Sequence, residues 1–115
     1  LRNSSAASDV YKLQLHWIQN NFYKGIQATD VAAAMNVTQQ GLQKAFANNY
    51  IRSPGNEIRH QRLEAVAFLL KTTSANLDTI AKNCGFYSVN SLINSFRKKY
   101  NKTPGKFREY HKKSN

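Results

Sequence analysis

Acid is what this chain has least of: six Asp and Glu stand against 17 Lys and Arg, a formal charge of +11 over 115 residues. That imbalance points to a polyanionic partner, nucleic acid first and a membrane surface second. Cysteine is nearly absent as well. Cys84 by itself cannot close an intrachain disulfide, so a reducing, cytosolic setting is expected and the thiol reads as a small apolar filler. No apolar run approaches the roughly 18 positions of a membrane span, and the start "LRNSSAASD" lacks the hydrophobic region of a signal peptide. No membrane partner is expected. His16, His60 and His111 are far apart and without ligand spacing, and there is no Gly-rich phosphate loop. Neither metal, cofactor nor catalytic cluster is anticipated, so an enzyme is not the reading. Alternating β-branched segments are scarce too, whereas apolar residues recur at spacings of three and four between capping residues. The fold class is therefore all-α.

The charge that is present is unevenly placed. Eight of the 17 cations fall between Arg97 and Lys113, where Glu109 is the only acid. A helix is expected from Asp9, with Val10, Leu13, Leu15, Trp17 and Ile18 as its apolar face. Residues 1–8, with "NSSAAS" and no initiating Met, read as the remnant of a linker from a domain before Leu1. Short helices follow from Thr29 to about Met35 and from Thr38 to about Asn49. Pro54 suits a first helical turn after Ser53 and opens the longest helix, to Lys71, about 27 Å at 1.5 Å per residue. Its apolar residues, from Ile58 to Leu70, cover half the circumference, so it should pack on two sides. After "TTSAN" come helices at Leu77–Cys84, Ser88–Tyr100 and Pro104 to about His111. About seven helices result.

The second half retraces the first. Phe46 and Phe96, Tyr50 and Tyr100, Ser53 and Thr103, Pro54 and Pro104, Gly55 and Gly105 are each 50 apart, while Val31-Ala32 and Ile80-Ala81, and Val37 and Phe86, are 49 apart. One residue has entered the second copy near the start of its longer helix. Each copy has helix-turn-helix grammar: Ala32 or Ala81 lets two helices approach, and Asn36 or Gly85 four residues on tolerates the left-handed turn. Val37, Leu42 and Phe46 then pack one unit, as Phe86, Leu92 and Phe96 pack the other.

The segment "IAKNCGFYSVNSLINSFRKKYNKTPGKFR" closely resembles the signature of AraC/XylS-type transcription regulators, and "SPGNEIRHQRLEAVAFLL" resembles their central run. "WIQNNFYKGI" resembles the DNA-binding end of xylose-operon activators. The resemblance spans about residues 9 to 111. It implies two helix-turn-helix subdomains, 9–53 and 72–115, the latter with the basic end, joined by a long central helix at 54–71. Each would place a recognition helix in the major groove of double-stranded DNA, making this the sequence-specific DNA-binding domain of a transcription regulator and activator.

On the first recognition helix, Gln39, Gln40, Gln43 and Lys44 face outward as base readers; on the second, Val89, Asn90, Ile93 and Asn94 do so. Gln and Asn suit adenine, Lys suits guanine, and Val or Ile suits thymine methyls. Lys24, Arg52, Arg59, Arg97, Lys98, Lys99, Lys102, Lys106 and Arg108 are phosphate candidates, each competing with a merely solvated surface cation. Pro54, Gly85 and Pro104 are structural. Arg62, inside an apolar stripe, should be structural too, paired with Asp78 or Asp30 or with carbonyls. Glu57 replaces the family's usual aromatic, which Phe107 keeps, and Ile51 and Asn101 replace a common Gly, so the first corner should be looser.

An N-terminal effector or dimerisation domain before Leu1 and a bacterial cytoplasmic, nucleoid-associated location are further expectations, and contact with RNA polymerase is compatible with them. The competing class is a nonspecific nucleic-acid-binding helical protein, which charge alone would support.

Overall fold

Side-chain caps set where most of these helices begin. In the computed structural model, which describes the backbone of residues 2–49 and 52–114 and the side chains of 10–49 and 52–112, seven α-helices and one short 3₁₀ turn follow one another, with no strand among the described residues. They are α1 (Arg2–Asn21), the turn Phe22–Lys24, α2 (Ala28–Ala34), α3 (Gln39–Asn49), α4 (Pro54–Thr72), α5 (Leu77–Cys84), α6 (Val89–Tyr100) and α7 (Pro104–Ser114). Asn76 and Ser88 accept from Thr79 N–H and Ser91 N–H at 2.9 and 3.1 Å, opening α5 and α6. The start of α2 differs from expectation: the helix begins at Ala28, and Asp30, three residues in, reaches back to accept from Gln27 N–H at 2.7 Å. Helix α1 begins at Arg2 rather than at Asp9. Tyr50 and Ile51, which the repeat pairs with Tyr100 and Asn101, lie outside the described residues.

The chain divides into two compact units, Leu1–Phe22 with Ile26–Gln61 and Tyr23–Gly25 with Arg62–Asn115. The division falls inside α4, where the sequence suggested a separate connector. In the first unit, Tyr11 and Ile18 of α1, Val31 and Ala32 of α2, Leu42 and Phe46 of α3 and Ile58 of α4 form the core. Tyr11 meets Phe46 edge-on, 5.1 Å between centroids. In the second, Leu63, Val66, Ala67 and Leu70 of α4 pack with Ile80, Ala81 and Cys84 of α5, Leu92 and Phe96 of α6 and Phe107 of α7. Helix α4 thus feeds both cores, as its broad apolar surface implied.

The face expected of α1 needs correction. Its buried stripe is Tyr11, Gln14 and Ile18, whereas Val10 is 41% and Leu13 58% exposed. Ile18 is buried and Leu15 and Trp17 pack half-buried on the core as expected, so the correction concerns the earlier turns, where Tyr11 and Gln14 take the places expected for Val10 and Leu13. Gln14, polar yet buried, hid the true stripe.

The repeat holds at the level of single hydrogen bonds. Val37 N–H donates to Ala32 O and Phe86 N–H to Ala81 O, both at 2.9 Å. Asn36 (φ 57°) and Gly85 (φ 88°) turn the chain through the left-handed region, as their spacing predicted. Before the two corners, Ser53 Oγ accepts from Asn56 N–H and Thr103 Oγ1 from Lys106 N–H, each at 3.2 Å, with Pro54 and Pro104 buried in the first helical turn. Asn101 (φ 58°) adopts the left-handed conformation that a family glycine would supply.

Candidate nucleic-acid interface

Helix α3 buries Leu42 and Phe46 and leaves Gln39, Gln40, Gln43 and Lys44 exposed. Thr38 Oγ1 caps its start, accepting from Gly41 N–H at 3.0 Å. The four outward side chains offer amide donors and acceptors and one cation from a single polar face, which matches base edges in a major groove. Helix α6 is organised alike: Leu92 and Phe96 are buried, and Asn90 and Asn94 are exposed. Val89 is half-buried and packs on the second core, so it has less surface to offer than the sequence suggested, and Ile93 is half-buried. Beyond Asn94, a groove of about 500 Å³ is lined by Asn94, Arg97, Lys98 and Asn101. Two cations on one open surface suit a phosphate backbone.

The phosphate candidates separate into two kinds. Lys24, Arg59, Arg97, Lys98, Lys99, Lys102 and Lys106 are exposed. Some have local work: Arg59 Nη1 donates to Asn56 Oδ1 at 2.7 Å, and Lys102 Nζ lies 3.8 Å from the centre of the Tyr110 ring. Arg108 turns inward instead. It is half-buried, and its Nε and Nη2 donate to the carbonyls of Leu70 and Thr73 at 3.2 and 3.0 Å, satisfying acceptors at the end of α4. Contacts 38 and 35 residues away in sequence could not be read from local spacing. Arg52 pairs with Glu57 at 3.4 Å. Arg62 is half-buried on α4.

The two corners are closed by different chemistry. Glu57 is 1% exposed, its carboxylate accepting from Arg52 Nη1 and, at 2.7 Å, from Gln61 Nε2. In the second unit Phe107 stands at that place, edge-on to Phe96 at 5.1 Å and tilted against Tyr100 at 5.4 Å. Tyr100 also donates its hydroxyl to Glu64 Oε2 at 2.8 Å, and burial together with that bond and charge holds its phenol well above the ordinary value. Burial pushes the Cys84 thiol up to about 11. A buried, protonated thiol is inert packing, as expected. Among the described residues no cluster of His, Cys, Asp and Glu could hold a metal ion.

Sequence reasoning passed over Tyr87. It precedes the α6 cap Ser88 and is 98% exposed. The signal was an aromatic inside a polar turn.

Two short helix pairs with matched turns, exposed polar second helices and a cationic surface define a double helix-turn-helix DNA-binding domain. A family model described as a helix-turn-helix domain matches residues 31–110, and the chain belongs to this AraC-type family. The xylose operon regulatory protein of Escherichia coli K12 is 28% identical over 95 residues, 83% of this chain and 24% of that protein. The HTH-type transcriptional activator RhaS of Mannheimia succiniciproducens is 27% identical over 94 residues, 82% of this chain and 35% of that one. The DNA-binding domain of AdpA, a global transcriptional factor solved in complex with a target DNA, shares the fold with a TM-score of 0.86 at 20% identity, covering 91% of this chain and 95% of that one. The chain thus spans about a quarter to a third of the curated relatives' length.

Proposed function

We propose that this domain is the operator-reading part of a bacterial transcription regulator, an activator like RhaS, with α3 and α6 entering successive major grooves on one face of a duplex. The observation carrying the reading is the duplicated turn: identical 2.9 Å bonds close both, and each precedes a capped helix with an exposed polar face. Grooves on one face of B-DNA recur about every 34 Å, the interval at which two such helices would read one duplex. Gln39, Gln40, Gln43 and Lys44 read one half-site and Asn90, Asn94 and Ile93 the other, with Val89 at the margin. Arg97, Lys98, Lys99, Lys102, Lys106, Lys24 and Arg59 position the domain on phosphates. Arg62 holds α4 through an ion pair or a carbonyl.

In the longer relatives the remaining length has room for an effector or dimerisation domain, and the same is proposed for the intact protein. Action at bacterial DNA places it in the cytoplasm at the nucleoid, with RNA polymerase as a further partner. No helix among the described residues is long and apolar enough to cross a membrane.

Selection of bound sites from random DNA tests the reading. Two enriched half-sites about one helical turn apart are expected. Binding equally displaced by unrelated DNA would instead establish the nonspecific class. Gln43→Ala or Asn90→Ala should change preference at individual base pairs, whereas Lys99→Ala should weaken every sequence alike and lower the salt slope by about one.

A further inference from the structure

The structure locates the residue by which the second copy exceeds the first. Val37 and Phe86 make the same turn bond 49 positions apart, but the caps that follow, Thr38 and Ser88, are 50 apart. Between turn bond and cap the first unit has no residue, and the second has Tyr87. The addition does nothing for the core: Tyr87 is 98% exposed, while the next most exposed large apolar side chain among the described residues, Phe68, reaches 60%. Nor is its backbone loose. Gly85 is fixed in the left-handed region, Phe86 packs on the core, and Ser88 caps α6. Tyr87 also borders a shallow depression of about 380 Å³ with Lys82 and Asn90.

An aromatic projecting wholly into water from a fixed backbone, at the mouth of a helix whose N-terminal residues approach base edges, has its whole ring open to a partner and only two side-chain torsions to order. We infer that Tyr87 is a specificity-determining residue of the second unit, packing its ring on the 5-methyl group of a thymine beside the base read by Asn90. The inference rests on the operator reading above. Duplex DNA is the occupant because the residue precedes a helix that exposes Asn90 and Asn94 and ends in Arg97, Lys98 and Lys99; the depression beside it carries one cation, Lys82, and one acid, Asp78. Thymine follows because its methyl is the apolar group a major groove presents.

The test replaces each thymine of the selected site by deoxyuridine, which removes only the methyl, and measures binding by wild type, Tyr87→Ala and Tyr87→Phe. At one position in the second half-site, uracil should weaken wild type and Tyr87→Phe about fourfold, the worth of one buried methyl, and leave Tyr87→Ala unaffected. Thermal melts should coincide for all three proteins, since the side chain touches no core. A preferred site at which no methyl effect is abolished by Tyr87→Ala overturns the role of Tyr87 alone. Absence of any preferred sequence overturns the operator reading with it.

Discussion

Behind Pro54 the first unit buries an acid, Glu57, against Arg52 and Gln61, whereas behind Pro104 the second packs Phe107 against Phe96 and Tyr100. The backbone at the two places is nearly identical. Glu57 N–H donates to Ser53 O at 2.8 Å and Phe107 N–H to Thr103 O at 2.9 Å. A duplicated corner therefore keeps its caps, its proline and its main-chain bonds, while the side chain filling it drifts from aromatic to ionic. Glu57 does not leave the first corner merely loose, because both carboxylate oxygens find donors. Its stability is conditional, however, since a buried charge is tolerated only while its partners remain.

Phe107→Ala should break the second corner most severely. Removing a ring packed on two others leaves a cavity and should cost about 3 kcal/mol in denaturant unfolding. A loss under about 1 kcal/mol would mean that the aromatic cluster does not hold α7. In the first corner Glu57→Ala should cost about 2 kcal/mol, because it removes the acceptor of Gln61 and one partner of Arg52; the loss is moderated by the partial exposure of Arg52, 29%, and its 3.4 Å separation. Glu57→Gln should recover about half of that, and full recovery would show that the charge is irrelevant.

The left-handed positions offer a finer comparison. Asn36→Ala and Asn101→Ala should each destabilise by about 1 kcal/mol, and the glycine variants should stay within a few tenths of wild type. Smallest is an alkaline effect confined to the second unit, where Cys84 and Tyr100 both lie. The folded thiol keeps its proton to about pH 11 against an ordinary 9.0, so its contribution is complete below pH 9 and is lost as pH rises through 11. Tyr100, also raised, acts in the same direction from about pH 10 upward. Stability measured against pH should decline above 9, and Cys84→Ala should flatten the curve by under about 1 kcal/mol at pH 9.5. An unchanged curve would deny the thiol any part.

The features legible in the sequence were those fixed by neighbours in the chain. Asn36 and Gly85, the Thr38 cap, the two proline corners and the outward Gln residues of α3 all depend on residues within five positions, and they stand where spacing put them. What escaped depends on tertiary context. Val10 and Leu13 of α1 were expected inside because burial of Gln14 is decided by what packs over it. The inward bonds of Arg108 could not be read because their acceptors, the carbonyls of Leu70 and Thr73, lie at the end of α4 and just past it. Glu57 looked like a defect because its pairing with Arg52 and Gln61 requires the corner to be folded first. Tyr87 was overlooked because the repeat alignment showed that a residue had been gained without showing which one.

Helix α4 carries a consequence for dissection of the molecule. The first unit closes its core with Ile58 and could be truncated after Gln61 with its N-terminal cap and proline intact. Apart from Tyr23–Gly25, the second starts at Arg62 and keeps only the eleven α4 residues Arg62–Thr72, with no cap of their own and below the roughly 12 to 15 residues at which a detached helix becomes marginal in water. Expression of the halves should therefore be lopsided: the front half is separable, and the rear half needs the borrowed turn that starts at Ser53.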